Sequence, residues 1–368
     1  MQERAPQNKN DGKMSAGQRL FCVMSALSLA LLFIYSDAAV SAMSDGMRLC
    51  VGTLIPSLFP FMVLSELFVR SGAAELVGKI VGAPISWLLG ISRKSGIAWL
   101  LGTLCGFPIG MRCAISLYEQ GKIESSELEH ISTFCNSPSS AFLIGAVGAS
   151  LLGSREFGII LYVSHVITSL LIGLMGRLFF KKNNRTTALT QSAPSRQSAA
   201  RIFSDAVSAS AMSMLFICAF VLFFSSLTGI LKLFLDSLNV GGIPRALTLG
   251  FFEMTGGVFS ASELPLRYAI PTVAAITGWS GLSVHFQLVG ICGSLPLSFK
   301  PYFLAKLSGA LLCTAITIVL THLFADKLFF SPESVESFLP LSSSPLSALT
   351  LLCFGLSCLP LVKKLRGK

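Results

Sequence analysis

The sequence predicts an all-α polytopic membrane protein, built as two inverted repeats with broken or re-entrant helices and about 8–11 membrane segments of roughly 20 residues or less. Three observations lead there. First, 52% of the 368 residues are apolar and 12% are charged, against about 25% charged in soluble domains. With 28 Lys and Arg and 18 Asp and Glu, the chain lacks the polar side chains to coat a water-soluble fold of this size. Second, long apolar runs alternate with apolar stretches broken by Gly, Pro and Ser. Third, the cations are sorted along the chain, so the net charge of +10 reads as topology.

Half of the cations lie in three short segments. Arg4, Lys9, Lys13 and Arg19 precede the first apolar run. Arg177, Lys181, Lys182, Arg185, Arg196 and Arg201 flank the middle of the chain, and Lys363, Lys364, Arg366 and Lys368 end it. Loops with such an excess of Lys and Arg stay in the cytoplasm, which puts both termini and the middle segment on the cytoplasmic side of the cell membrane. A nucleic-acid surface would interleave aromatics with the cations, and these segments do not. The ten cysteines form no Cys-x-x-Cys pair and no zinc-spaced cluster, so they read as small apolar fillers.

Taken in order, the apolar runs are Leu20 to Ser36, Leu49 to Val69, Phe157 to Phe180, Ala206 to Leu235, Tyr302 to Ala325 and the shorter Leu346 to Val362. The first reads as an uncleaved anchor rather than a signal peptide, although Ala38 to Ala42 offers small residues for cleavage. Between the runs lie the broken stretches Leu76 to Ile91, Gly96 to Leu117, Ser139 to Leu152, Leu247 to Ser260 and Ala269 to Leu295. Backbone interruptions at membrane depth are tolerated where they are buried in protein or line a wet cavity, so they point to a polar site.

The polar, basic linker 181–204 divides the chain, and four blocks recur in the same order on either side of it. Arg48 to Gly72 aligns with Asp205 to Gly229, Gly102 to Glu119 with Leu249 to Leu266, Asn136 to Val147 with Ser280 to Ile291, and Phe157 to Phe179 with Phe299 to Thr321. Starting from a cytoplasmic N-terminus, the first repeat begins outside and the second begins inside, so the two are inverted. The expected organisation is 1–47 as N-terminus and first helix, 48–180 and 205–325 as the repeats, and 326–368 as an external loop, last helix and basic tail.

Ionisable groups inside spans are costly and so are candidates for function. Glu66 sits four residues before Arg70, at ion-pair spacing. Arg112 closes a segment opened by Gly106, Pro108 and Gly110; snorkelling is its alternative. Glu253 holds the equivalent place in the second repeat, followed by Thr255, and offers a carboxylate to a cation or to hydroxyls. Asn136, Ser137 and Ser139 beside Pro138, and Ser280, Ser283, His285 and Gln287 in the other half, offer amide, hydroxyl and imidazole groups beside broken backbone. Close packing through small residues is the alternative for the serines. His165 and His322 read as packing or interfacial residues, and Lys306 as a snorkelling residue near a span end.

The stretches SLFPFMVLSELFVRSG (57–72), CGFPIGMRCAISLYEQGKI (105–123), FCNSPSSAFLIGAVG (134–148), LGFFEMTGG (249–257) and GWSGLSVHFQ (278–287) resemble the sporulation integral membrane protein YlbJ family over about residues 48 to 325. The resemblance implies a nucleoside-recognition (Gate) domain, as in concentrative nucleoside transporters, spore maturation proteins and the membrane part of ferrous-iron transporters. It also implies a spore-forming bacterium and a role in the spore cortex.

No Walker loop, Gly-x-Ser-x-Gly elbow or His-Glu-x-x-His motif is present. The expectation is therefore not an enzyme, with no cofactor and no metal. The expected partners are the lipid bilayer and a small polar solute or ion, without nucleic acid; a homo-oligomer is compatible with this. The expected function is a secondary transporter or permease for sporulation, with a non-transporting membrane scaffold for cortex assembly as the alternative.

Overall fold

A computed structural model describes residues 16–71, 82–180, 198–293, 295 and 297–324. The N-terminal cations before residue 16, most of the basic linker, and the expected external loop, last helix and tail lie outside the described residues. Among the described residues every regular element is a helix. Four are long and apolar enough to cross a membrane: α1 (Ala16–Ile34), α9 (Arg155–Arg177), α10 (Ala199–Ser237) and α15 (Phe299–Phe324). The protein is thus an all-α polytopic membrane protein.

The run expected from Leu49 begins earlier. Helix α2 (Ser36–Leu49) leads through wide π-type turns at Cys50–Leu54 into α3 (Ile55–Arg70). Its partner is α10, 39 residues or roughly 58 Å at 1.5 Å per residue. Small residues let the two backbones meet. A Cβ at Gly229 would collide with Ala42, and one at Gly46 would lie 2.8 Å from the Ser225 hydroxyl. Residue numbers rise on α2 as they fall on α10, so the pair is antiparallel.

Each broken stretch has a definite form. Helices α4 (Gly82–Leu89), α5 (Gly96–Leu104) and α6 (Ile109–Glu119) follow α3, and α5 and α6 fold back on each other. Gly110 is wedged against Ala98 and Gly102, which only absent side chains permit. Helices α11 (Gly242–Phe252) and α12 (Met254–Ser262) repeat this arrangement, with Gly257 against Ala246 and Gly250. Both pairs are helical hairpins.

The other two stretches are interrupted helices. A short polar helix, α7 (Ser125–Ser132), is followed by irregular backbone through Ser139 and then by α8 (Ala141–Leu151), wound with π-type turns. In the second half α13 (Leu266–Trp279) breaks at Ser280, φ +79°, and continues as α14 (Gly281–Cys292).

Helices α9 and α15 frame these breaks and run antiparallel. Phe299 and Tyr302, near the start of α15, cluster with Leu170 and Ile172 late in α9. Cys313 clusters with Phe157 and Leu161, near the start of α9. At the Arg177 end of α9, that side chain donates to the Trp87 carbonyl at 2.8 Å. Glu127 of α7 accepts from the Ser92 amide and Ser95 hydroxyl, each at 2.6 Å, at the mouth of the first hairpin. The second hairpin opens at the far end of α10, where Arg245 pairs with Asp236. Helix α14 runs antiparallel to α10, with Phe286 beside Phe224 and Gly290 against Phe216. The hairpins therefore enter the body from opposite ends.

Candidate functional site

The tip of each hairpin abuts the break of the interrupted helix in its own half. In the first, Gly106 adopts φ +80° and follows Cys105, and a cis peptide joins Phe107 to Pro108. A Cβ on Gly106 would lie 2.5 Å from the Ser139 amide nitrogen, so the two backbones touch. The Phe107 amide donates to the Ser137 carbonyl at 2.9 Å, and the Ser140 hydroxyl to the Leu104 carbonyl at 2.9 Å. These bonds satisfy polar groups that lipid would leave unpaired. In the second, Gly281, φ +79°, lies where a Cβ would be 2.9 Å from the Met254 amide nitrogen.

Lys306 joins the two junctions. It lies eight residues into α15, 7% exposed, and its Nζ donates to the Asn136 carbonyl in the first half and to the Ser280 hydroxyl in the second, the latter at 3.0 Å. The expected snorkelling does not occur, because the side chain turns into the protein between the two breaks. A small cavity beside it is lined by Ser137, Asn136, Thr133, Phe134, Thr168, Ser169, His165 and Lys306, together with Ile172, Gly278, Ala305 and Gly309.

The lining groups are largely oriented by neighbours. Asn136 is 3% exposed; its amide nitrogen donates to the Ser132 carbonyl at 2.8 Å, and its Oδ1 is buried with no partner. The Thr277 hydroxyl gives its one hydrogen to the Val273 carbonyl at 2.7 Å, so His165 Nε2, 3.0 Å away, is the donor to it. That assignment leaves His165 Nδ1 as an acceptor. Trp99 Nε1 donates to the Ser169 hydroxyl at 3.0 Å, tying the first hairpin to α9.

The other sequence-derived candidates take different places. Glu253 is 4% exposed, yet its carboxylate caps α12. Oε1 accepts from the Thr255 amide and hydroxyl at 2.8 Å each, and Oε2 from the Gly256 amide at 2.6 Å. Four oxygen lone-pair positions thereby meet three donors, a stable use for an acid at a helix N-terminus. The Ser139 hydroxyl accepts from the Phe142 amide at 3.1 Å, at the start of α8. Ser283 accepts from Gln287 Nε2 at 3.2 Å, within α14.

His285 packs among Trp279, Tyr302 and Phe303. Its Nδ1 is 2.7 Å from the Tyr302 hydroxyl, and its Nε2 is buried without a partner. Arg112, on α6, is absent from the cavity lining and has its Nε buried and unpaired. Glu66 pairs with Arg70 at 2.7 Å, as the spacing predicts. Gly106, Pro108 and Gly110 shape the first hairpin rather than line the cavity.

Sequence reasoning set aside Lys306 and His165 and did not consider Thr168. Lys306 carried one usable signal, a lysine within an otherwise apolar run. No group of three or more His, Cys, Asp or Glu able to hold a metal occurs among the described residues.

The chain has a relative among known proteins. The chain is 26% identical over 311 residues to the sporulation integral membrane protein YlbJ of Bacillus subtilis (strain 168), covering 76% of each chain. The chain is thus similar to a sporulation integral membrane protein over most of the length of both. No family model matches it, and no solved structure matches it. The fold description therefore rests on the chain's own helices, with two hairpin tips, two helix breaks and one bridging lysine.

Proposed function

We propose that the chain is a secondary transporter or permease for a small polar solute, nucleoside-like or ionic, working in the cell membrane during formation of the spore cortex. In this reading the two halves are inverted Gate-like, nucleoside-recognition repeats, and both termini are cytoplasmic. The sporulation role follows from the similarity to the Bacillus subtilis protein. The observation that carries the transport reading is Lys306, whose ammonium spans the breaks of both halves beside a polar cavity. Backbone interruptions paired across two oppositely entering hairpins are the arrangement from which alternating access is built. The antiparallel pairing of α2 with α10 and of α9 with α15 supports inversion.

Vesicle swelling tests transport across many candidate solutes at once. Full-length protein reconstituted in liposomes should accelerate swelling for some members of a panel of nucleosides, sugars, acids and salts, with saturation. Rates equal to empty liposomes across the panel would instead favour the scaffold. That second reading has one observation of its own, the apolar α1, which buries no residue among the described residues. It predicts that removing residues 16–34 abolishes the sporulation role while Lys306→Met does not.

A further inference from the structure

The cavity beside Lys306 encloses about 30 Å³, room for one or two waters and too little for an organic solute. Its walls are nonetheless those of an ion site. Lys306 is nine-tenths buried and sets its ammonium against a carbonyl from one break and a hydroxyl from the other. Oxygen atoms at interrupted helices are what broken-helix transporters use to hold a coupling cation or proton, and here the lysine's own charge stands in that position. No carboxylate lines the cavity, and Lys306 forms no ion pair among the described residues. A buried charge without a counter-charge is costly, and an ammonium sheds it by losing one proton.

The cavity offers that proton a route. Two N–H groups of Lys306 are placed on Asn136 and Ser280, which leaves the third to donate. His165, in the same wall, keeps Nδ1 as an acceptor through the bond that its Nε2 makes to Thr277. A water between them accepts from Lys306 and donates to His165, and Ser137 adds a hydroxyl to the lining. Other titratable groups face Lys306: His285 from α14, Cys135 from the first break, and Cys313 from α15 itself. None of the three lines the cavity, and α13 brings only Gly278 to it. Tyr302 is engaged with His285, and on α7 Glu129 accepts from the Ser298 amide while His130 is held at the Gly173 carbonyl.

We infer that Lys306 binds a coupling proton that moves through cavity water to His165, so that protons rather than sodium ions drive the transporter. The ammonium gives up one proton and becomes a neutral amine; His165 Nδ1 takes the proton, becomes an imidazolium, and releases it when the cavity opens to solvent. The neutral amine holds Asn136 and Ser280 without charge assistance, so proton loss loosens both breaks together. That the proton drives transport rests on the transport reading; that Lys306 binds it does not.

Hydrogen exchange of the purified full-length protein, corrected for the intrinsic pH dependence of exchange, tests the site without any solute. Between about pH 5 and about pH 10, amides of residues 134–142 and 276–284 should lose about tenfold in protection, the difference between charged and neutral donors. Sodium chloride and choline chloride should give equal protection, and in Lys306→Met the pH step should vanish. A flat wild-type profile, a step that survives Lys306→Met, or protection specific to sodium would overturn the inference. Should the lysine variant not accumulate, liposomes carrying wild-type protein and a pH-sensitive dye give a second reading. Any solute of the swelling panel that enters should shift the lumen pH, and His165→Gln, which keeps a donor for Thr277, should slow that shift about tenfold or more. Solute flux with no pH shift, or an unslowed His165→Gln, would overturn this inference and leave the transport reading standing. A Lys306-dependent step in exchange with no flux of any solute would defeat the transport reading and leave the proton site standing.

Discussion

Glu253 and Lys306 are both buried ionisable groups, and the structure satisfies them in different ways. Glu253 meets three donors from its own helix start, so its removal should act mainly on stability. Glu253→Ala is expected to cost about 1–2 kcal/mol, read as a lower unfolding midpoint in detergent, and Glu253→Ser, itself a capping residue, should recover most of the loss. From sequence Glu253 read as a ligand candidate and Lys306 as a snorkelling residue, because only position relative to an apolar run was visible. That Glu253 caps α12 depends on a chain reversal at a single residue, and that Lys306 points inward depends on which face of α15 meets α9. Neither is written in the local pattern.

At the scale of elements, the breaks were legible because Gly and Pro mark them directly. Gly106, Pro108 and Ser280 do stand at the turns. Their form was less legible. Whether a broken stretch folds back or continues depends on partners far along the chain, such as Cys135, whose carbonyl presses on both Gly102 and Gly110. The extension of the second run back to Ser36 was hidden because α2 carries Asp37, Asp45 and Arg48 and is not apolar throughout. Gly106→Ala should therefore destabilise by about 2 kcal/mol or more, since it adds strain at φ +80° to a contact with Ser139. Gly145→Ala, where an added Cβ meets nothing within 4 Å, should leave the unfolding midpoint nearly unchanged.

At the scale of the whole molecule, opposite entry of the hairpins gives a topological expectation. In a variant without native cysteines, Gln120→Cys, after the first hairpin, should react with a membrane-impermeant maleimide only from the cytoplasm. Glu263→Cys, after the second, should react only from outside. Reaction of both from one side would contradict inversion. The charge sorting that suggested this topology in the sequence is a property of loops, and it says nothing of what the loops enclose. The enclosure became visible only with Lys306 placed between Asn136 and Ser280.

The most direct test of that enclosure is complementation in a spore-forming strain lacking its own copy, at matched membrane levels. Lys306→Met removes the ammonium while keeping an unbranched side chain of similar reach. If the bridged breaks form the working site, this variant reaches the membrane normally and yields no more heat-resistant spores than the empty strain. Wild-type spore yield from Lys306→Met would show that the lysine between the two halves is not the centre of function.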